Sequence, residues 1–420
     1  NRASPLPLSD VLPILENLDL KVISEVPYTV SPLGEEDSIW IHDFTLESRG
    51  DCLIDVEKAC KKFEDTLSKV RAGDVENDGF NRLVLRANLD WWQCILFRGY
   101  AKYLRLIGLP FSKAYLSNTL VKNPTVVTLL ADLFEKRFHP SKSCNCTELV
   151  EEIKGHLDQI SNADEDRILR LYLTVILSTI RTNAYQHNAD GTPKSYISFK
   201  ISSRDIEELP KPRPLYEVFV YSSYMEGIHL RGGKVARGGI RWSDRQEDFR
   251  TEVLSLVKAQ MVKNTVIVPV GSKGGFIVKT SLDGKSREEF LAEGVRCYRT
   301  LIRGLLDLTD NLVDGDVVAP QDVKRWDDDD PYLVVAADKG TATFSDFANE
   351  ISNEYGFWLG DAFASGGSVG YDHKKMGITA KGAWESVKRH FRELGKDIQN
   401  EPVSVIGIGD MSGDVFGNGM

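Results

Sequence analysis

Cysteine is scarce in this chain, and long apolar runs are absent. The six cysteines among the 420 residues are scattered, and only Cys144 and Cys146 lie close together, so neither a disulfide scaffold nor a zinc site with two ligand pairs is expected. The most apolar stretch, residues 171–180, has ten residues, about half of the roughly 20 that a membrane-spanning helix needs. No basic start with an apolar signal core precedes residue 30. These absences favour a cytoplasmic protein with reduced thiols, no metal site and no membrane partner.

Basic charge is also in short supply. There are 52 Lys and Arg residues against 62 Asp and Glu residues, which gives a net charge of −10. An acidic chain is a poor binder of phosphate backbones, so we expect no nucleic-acid partner. The remaining composition, 42% apolar and 27% charged, is typical of a folded protein, and the length suggests two or three domains.

The pattern of elements changes along the chain. It predicts a helix and two strands for residues 1–45, and helices for residues 46–190. In residues 191–395 strands alternate with helices, among them strands over residues 266–270 and 333–337 and a helix over residues 380–394. Such alternation is typical of an α/β fold with an open, largely parallel sheet, whose sites lie at the carboxyl ends of strands. The fold class is therefore α/β with a helical N-terminal part.

A glycine turn follows the apolar residues 403–406, which predict a strand. Backbone N–H groups in such a turn can approach a pyrophosphate, and the candidate binding residues are Gly407, Gly409, Asp410, Met411 and Ser412. The spacing departs from G-x-G-x-x-G because Ser412 holds the third place, and similar junctions without a ligand are common. The chain opens on Asn1 and ends thirteen residues after Gly407, so we expect a fragment whose residues 396–420 begin a truncated Rossmann domain.

Glycines and cations alternate between residues 232 and 275. Gln260 and Lys263 are three residues apart on a predicted helix, so their amide and ammonium groups should project together. Lys273 follows the predicted strand over residues 266–270 and lies among glycines, which would let its amine enter a cleft. Converging cations can hold a small dicarboxylate, and a lysine among them can act as a base. The residues alone leave two alternatives open, a phosphate-cradling glycine loop and solvated surface lysines.

Acidic residues follow the predicted strand over residues 333–337 and also precede it. Asp338 comes directly after the strand and before Gly340, a position suited to proton transfer, although a lone aspartate there is more often a turn or helix cap. The run from Asp327 to Asp330 predicts a solvated loop, because four adjacent carboxylates cannot all face one metal ion.

Taken together, these segments resemble the superfamily of glutamate, leucine, phenylalanine and valine dehydrogenases, and in particular its large bacterial NAD-dependent glutamate dehydrogenases. Residues 237–241 (RGGIR) are similar to the Lys-Gly-Gly-x-Arg segment of these enzymes, and Gln260 and Lys263 to their Gln-x-x-Lys segment. The surroundings of Lys273 and Asp338 resemble those of the catalytic lysine and aspartate. Thr379 lies in a segment like the Thr-Gly-x-Gly beside the nicotinamide.

The resemblance implies a function and a set of roles. It implies oxidative deamination of L-glutamate to 2-oxoglutarate and ammonia with NAD, by a homo-oligomer. Lys273 and Asp338 would be catalytic, and the substrate would be bound by Arg237, Gly238, Gly239, Gln260 and Lys263, with Arg237 facing its second carboxylate. NAD would be bound by Thr379 and by the glycine turn.

The resemblance also implies four segments: an ACT-like module (1–45), a helical region (46–190), a substrate-binding catalytic domain (191–395) and the start of the NAD-binding domain (396–420). Two departures stand out, because Arg237 replaces a lysine and the spacing of Lys263 and Lys273 is two residues shorter than in the small enzymes. A dehydrogenase of another amino acid and a non-catalytic regulatory or assembly fragment are the alternatives. We expect the truncated chain alone to be inactive.

Overall fold

The computed structural model describes residues 6–31, 38–50, 55–142, 145–281, 284–370 and 373–406. The chain begins with helix α1 (Leu8–Asn17) and a two-stranded antiparallel ribbon of β1 (Leu20–Val30) and β2 (Ile39–Ser48). Val11 and Leu15 of α1 pack with Leu20 of β1 in a small core of their own. The helix and two strands expected for residues 1–45 are therefore present.

A group of helices follows, as the 3.6-residue periodicity predicts. Its best-defined member has a capping box in which Asp90 accepts a hydrogen bond from the backbone of Gln93 while the Gln93 side chain accepts one from the backbone of Asp90. The helices are α2 (Val56–Ala72), α3 (Leu83–Arg86), α4 (Trp91–Leu106), α5 (Lys113–Lys122), α6 (Pro124–Phe138), α7 (Thr147–Leu157) and α8 (Ala163–Ser178).

The remainder of the described chain is built on one eight-stranded sheet. Its order is β12-β11-β7-β8-β6-β5-β4-β3. The strands are β3 (Thr179–Thr182), β4 (Ile197–Ser202), β5 (Tyr216–Tyr221), β6 (Met225–Arg231), β7 (Ala236–Trp242), β8 (Val270–Val278), β11 (Val334–Ala337) and β12 (Ala364–Ser365). A separate hairpin contains β9 (Asn311–Val313) and β10 (Asp316–Val318).

The sheet is parallel in one half and antiparallel in the other. Strands β12, β11, β7 and β8 run parallel, because helices α9 (Phe249–Lys263), α10 (Arg287–Leu306) and α11 (Ser345–Glu354) supply the long connections that parallel strands need. Strands β8, β6, β5, β4 and β3 pair antiparallel. The α/β class with a helical N-terminal part is confirmed, and the parallel character expected for the whole sheet belongs to the half that contains the site described below.

Two cores cover the two faces of the sheet. The larger joins the N-terminal helices and α9 to one face, through residues such as Phe97, Phe199 and Val253. The smaller joins α10 and α11 to the other face, through residues such as Ile240, Phe276 and Leu301. Each strand of the parallel half is therefore fixed from both sides. Nowhere in the described residues is there a helix long and apolar enough to span a membrane.

The strand expected over residues 266–270 is wrong. Strand β8 begins at Val270, and Val266, Ile267 and Val268 form an irregular, exposed segment before it. Pairing decides this outcome, because the glycine-rich residues that follow have β6 on one side and β7 on the other. Propensity within a single segment cannot outweigh two ladders of hydrogen bonds.

The C-terminal elements also differ from expectation. Residues 403–406 form no strand among the described residues, and Ile406 is 88% exposed. A β-strand obtains its hydrogen bonds from a neighbour, and no described strand pairs with this segment. The last helices are α12 (His373–Met376) and α13 (Ile378–Glu393), so Thr379 lies inside the first turn of α13 rather than before the helix.

Candidate active site

The parallel half of the sheet brings Lys273 and Asp338 together. Lys273 is the fourth residue of β8, and Asp338 follows the last residue of β11, with β7 between the two strands. The Lys273 Nζ atom donates a hydrogen bond of 2.9 Å to Oδ2 of Asp338. Lys273 lies within a strand and not in a turn after one: it pairs with Leu230 of β6, and the nearby Gly271 and Gly274 pair with β7 on the other side.

Asp338 is held as a carboxylate by the groups around it. Burial alone would raise its pKa, but hydrogen bonds from Lys273, from the backbone of Lys339 and from Arg241 outweigh burial and hold the pKa below its usual range. Its backbone N–H donates to Oγ1 of Thr341, which in turn donates to the carbonyl of Ile240 on β7. The turn after β11 is thereby tied to the adjacent strand, which fixes the direction of the Asp338 side chain.

Arg241 on β7 forms a cluster with Lys273 and Asp338, although the sequence pattern alone predicts no role for it. Its Nη2 atom donates to Oδ1 of Asp338 at 3.1 Å, and its Nη1 atom donates to Oε1 of Glu252 on α9 at 2.5 Å. Ser243 donates to the other oxygen of Glu252 at 2.6 Å. Arg241 lies within the RGGIR motif. No sequence signal near Glu252 indicates its role, because its partners Arg241 and Ser243 belong to a different part of the chain.

Gly238 and Gly239 allow the three strands to approach each other. A Cβ atom on Gly238 would lie 1.5 Å from the backbone oxygen of Ser272, and one on Gly239 would lie 2.7 Å from the backbone oxygen of Ala337. Neither position has room for a side chain. The glycines therefore bring the backbone of β7 against the strands that carry Lys273 and Asp338.

Gln260 reaches the same strands from helix α9. Its Nε2 atom donates to the backbone oxygen of Arg237 at 3.0 Å, and its Oε1 atom is buried without a hydrogen-bond partner among the described residues. That oxygen also lies 3.1 Å from the position that a Cβ atom on Gly238 would occupy. One side of the Gln260 amide is therefore fixed on the strand, and its other side carries an unused acceptor.

Two of the expected substrate-binding side chains are not drawn into the cluster. Lys263 is exposed at the last residue of α9, and no hydrogen bond or ion pair joins it to any residue that the structure describes. The side chain of Arg237 is also exposed, and only its backbone oxygen is engaged, by Gln260. The expectation that the amide of Gln260 and the ammonium of Lys263 project together stays a prediction.

The expected cofactor-binding residues fall only partly within the described chain. Thr379 is exposed in the first turn of α13, whose N-cap Gly377 has a left-handed backbone and makes no side-chain cap. The unpaired N–H groups of such a turn fit an anionic or amide group. Gly407, Gly409, Asp410, Met411 and Ser412 lie outside the described residues.

The acidic run near β11 is not the solvated loop that its sequence predicts. The side chains of Asp327 and Asp330 are 6% and 2% exposed, and they pair with Arg181, Lys200 and Arg231 from the antiparallel half of the sheet. Asp328 and Asp329 alone face solvent, at 89% and 57% exposure. Burial raises the pKa of Asp330, but the pairing with Arg231 and Lys200 outweighs it and lowers that pKa to about 2.

Comparison with known proteins gives matches along the whole chain. The model of the family described as bacterial NAD-glutamate dehydrogenase, catalytic domain, matches residues 152–420. Models of helical motif 3 and of the ACT3 domain of glutamate dehydrogenase match residues 75–140 and 1–59.

Curated relatives extend these matches. The NAD-specific glutamate dehydrogenases of Halomonas elongata and Pseudomonas aeruginosa are 55% and 56% identical over 100% and 99% of this chain. That of Mycobacterium tuberculosis is 49% identical over 98% of this chain. The chain spans about a quarter of the length of each of these relatives, 26% in all three.

Among solved structures, the hetero-hexameric glutamate dehydrogenase of Thermus thermophilus is 15% identical over 48% of this chain and 41% of its own, with a TM-score of 0.28, which is too low to establish a shared fold. The family assignment therefore depends on the sequence matches. The catalytic-domain model covers well over half of this chain, and the chain therefore belongs to the family of bacterial NAD-glutamate dehydrogenases.

Proposed function

We propose that this chain is the substrate-binding part of an enzyme that oxidatively deaminates L-glutamate to 2-oxoglutarate and ammonia with NAD. The observation that carries the proposal is the hydrogen bond between Lys273 and Asp338 across three parallel strands. A lysine beside an ionised carboxylate can exchange a proton with it, which is what removal of an amino group from carbon requires. The names of the relatives support glutamate as the substrate and NAD as the cofactor.

Each residue of the cluster has a proposed role. Lys273 activates the water that attacks the iminium carbon, and Asp338 carries protons to and from the nitrogen that leaves as ammonia. Gln260 offers its unused Oε1 atom as an acceptor for a hydrogen-bond donor of the substrate, and its Nε2 atom donates to the backbone oxygen of Arg237. Gly238 and Gly239 keep the floor of the site free of side chains. NAD, when bound, supplies the hydride acceptor, and Thr379 with residues 407–412 would hold it.

Lys263 and Arg237 are proposed to bind the two carboxylates of the substrate. Their side chains are exposed and make no ion pair within the described residues, so both charges are available to an anion. Lys263 lies at the end of α9, and its helix places it one turn from Gln260. Arg237 offers a planar fork that suits a carboxylate.

The organisation of the whole enzyme is also part of the proposal. We propose an ACT-like module in residues 1–45, a helical region in residues 46–190, a catalytic domain in residues 191–395 and the start of an NAD-binding domain in residues 396–420. The matches to ACT3 and to helical motif 3 support the first two. A homo-oligomer in the cytoplasm is proposed with it, and light scattering of the purified full-length enzyme tests the oligomer.

The decisive experiment is Lys273→Ala in the full-length enzyme. We expect loss of NAD reduction with glutamate, because a positioned acid or base contributes about 10²- to 10⁴-fold to a rate. Lys258→Ala is the matched control, since Lys258 is an exposed lysine of α9 whose side chain has no hydrogen bond or ion pair to another described residue. Wild-type kinetics in Lys273→Ala would contradict the role.

The alternatives are separated by the same assay. A preference of the full-length enzyme for leucine or aspartate would replace glutamate with another amino acid. We expect residues 1–420 alone, which span about a quarter of the length of the curated relatives, to show no NAD turnover, and robust activity from them would contradict that expectation.

A further inference from the structure

Arg241 lies where three elements of the candidate site meet. It projects from β7 between Glu252 of α9 and Asp338 at the end of β11, and its side chain is 16% exposed. Burial lowers the pKa of Arg241, but hydrogen bonds to the two carboxylates outweigh burial and raise it, so the guanidinium is always charged. One permanent cation therefore joins two carboxylates of different elements.

Glu252 is itself held in place. It accepts from Nη1 of Arg241 at 2.5 Å and from Oγ of Ser243 at 2.6 Å. The backbone N–H of Ser243 donates to the carbonyl of Phe276 on β8, at 2.9 Å. The anchor of Arg241 is thus fixed to helix α9 and, through Ser243, to the strand that carries Lys273.

Both oxygens of Asp338 are in use, each by a different group. Oδ2 accepts from Lys273 at 2.9 Å, while Oδ1 accepts from Arg241 at 3.1 Å and from the backbone of Lys339 at 2.7 Å. The last torsion of an aspartate side chain has a broad distribution, and hydrogen bonds to both oxygens narrow it. Arg241 supplies a side-chain donor to the oxygen that Lys273 does not reach.

Arg241 is poorly placed to bind a substrate directly. Nη1 and Nη2 each donate to a protein carboxylate, and Nε is buried without a partner among the described residues. A substrate carboxylate would have to displace Asp338 or Glu252. The side chain therefore acts on the protein, in contrast to Arg237, which is exposed on the same strand.

We infer that Arg241 is a positioning residue that fixes the Asp338 carboxylate against Lys273, with Glu252 as its anchor. This inference rests on the proposed function for its catalytic meaning. A guanidinium fork can join two carboxylates at once, whereas a lysine in its place could reach one of them. The pair of Lys273 and Asp338 is then one part of a chain of contacts that runs through Arg241 to Glu252 and Ser243.

The test compares Arg241→Met, Arg241→Lys and Glu252→Ala in the full-length enzyme. For Arg241→Met we expect kcat to fall about 10- to 100-fold, because a misplaced catalytic group costs rate and not affinity, while KM for glutamate stays within about twofold. The acid limb of the kcat profile should move to higher pH, because Asp338 loses a cation that favours its ionised form. Arg241→Lys should recover part of the loss, and Glu252→Ala should lower kcat, because Arg241 loses the carboxylate that anchors it.

Arg303→Met is the matched control. Arg303 joins α10 to Glu354 of α11 at 2.7 Å, an arginine–carboxylate pair between two elements outside the cluster. It should leave both kcat and the pH profile unchanged. Arg241→Lys and Glu252→Ala carry the same test if Arg241→Met does not fold.

The outcomes separate this inference from the proposed function. A large rise in KM for glutamate with kcat unchanged would mean that Arg241 binds the substrate. An unchanged kcat and an unchanged pH profile would mean that Arg241 does not position Asp338. Either result overturns the inference. A crystal structure of the Arg241→Met variant gives an independent reading, in which we expect the contact between Lys273 and Asp338 to be lost. If the variant loses that contact and the wild-type enzyme is itself inactive on glutamate, the positioning role is retained and the proposed function is rejected.

Discussion

His229 should make the folded chain sensitive to acid. It lies on β6 with 1% of its surface exposed, and neither ring nitrogen has a hydrogen-bond partner among the described residues. Burial, reinforced by the nearby charge of Arg231 and opposed by that of Asp330, lowers its pKa from 6.5 to about 3. The folded state therefore keeps this histidine neutral at a pH at which the unfolded chain protonates it.

The size of the effect follows from the two pKa values. Because the unfolded chain binds the extra proton, the contribution of His229 is fully present above pH 6.5 and is lost as the pH falls from 6.5 towards 3. Each pH unit in that window costs about 1.4 kcal/mol of unfolding free energy. Between pH 7 and pH 5 the loss from this one group is therefore about 2 kcal/mol.

The assay is urea unfolding of the chain at pH 7 and pH 5, followed by circular dichroism. The variant is His229→Leu, whose side chain cannot take up a proton. We expect the wild type to lose about 2 kcal/mol more than the variant between the two pH values. His390→Leu is the control, because His390 is an exposed histidine of α13. An equal acid loss in wild type and His229→Leu would refute the reasoning.

Two further predictions concern buried charge and close backbone approach. Asp330→Asn should destabilise the chain by about 3–5 kcal/mol, because Lys200 and Arg231 are buried and lose the carboxylate that they share. Asp329→Asn should change the stability little, since Asp329 is exposed, and urea unfolding midpoints compare the two variants. Gly238→Ala should prevent folding of the parallel half or abolish the activity of the enzyme, since the added Cβ atom would lie 1.5 Å from the backbone oxygen of Ser272. Gly382→Ala is the control, because its added Cβ atom would have no described atom within 4 Å. Equal melting temperatures for the two alanine variants would contradict the second prediction.

Local signals predict the elements that are stabilised locally. The C-terminus of α13 is marked by Gly395, which has the left-handed backbone that ends a helix at low cost, and the start of α10 by the Ser286 and Glu289 capping box. The apolar run before Asp338 predicts β11 to within one residue, because a strand buried on both faces needs apolar side chains throughout. The meeting of Lys273 and Asp338 is different, because the two residues are 65 positions apart and only the family resemblance brings them to one site in advance.

Features that depend on distant partners are the ones that the sequence does not predict. The run from Asp327 to Asp330 reads as solvated because its cations lie about a hundred residues or more upstream, on strands that the run meets only in the folded sheet. The role of Glu252 is not predicted for the same reason, because its partners Arg241 and Ser243 belong to a different part of the chain. Strand β8 is shifted from Val266 to Val270 because β6 and β7 select the segment that pairs with them.

The division of the sheet explains why the candidate site is placed where it is. The antiparallel half is joined to the N-terminal helices by polar contacts, such as the ion pair of Lys102 on α4 with Glu226 on β6 and the hydrogen bond from Tyr103 on α4 to Glu217 on β5. The parallel half ends instead at the edge strand β12, and Asp338 lies at the carboxyl end of β11, whereas the unpaired acceptor of Gln260 lies near Arg237 and Gly238, at the start of β7. Strand β8 pairs with β6 of the antiparallel half and with β7 of the parallel half, so Lys273 lies at the boundary between the two halves. Its contact with Asp338 at the end of β11 therefore depends on the order in which the two halves place β8, β7 and β11.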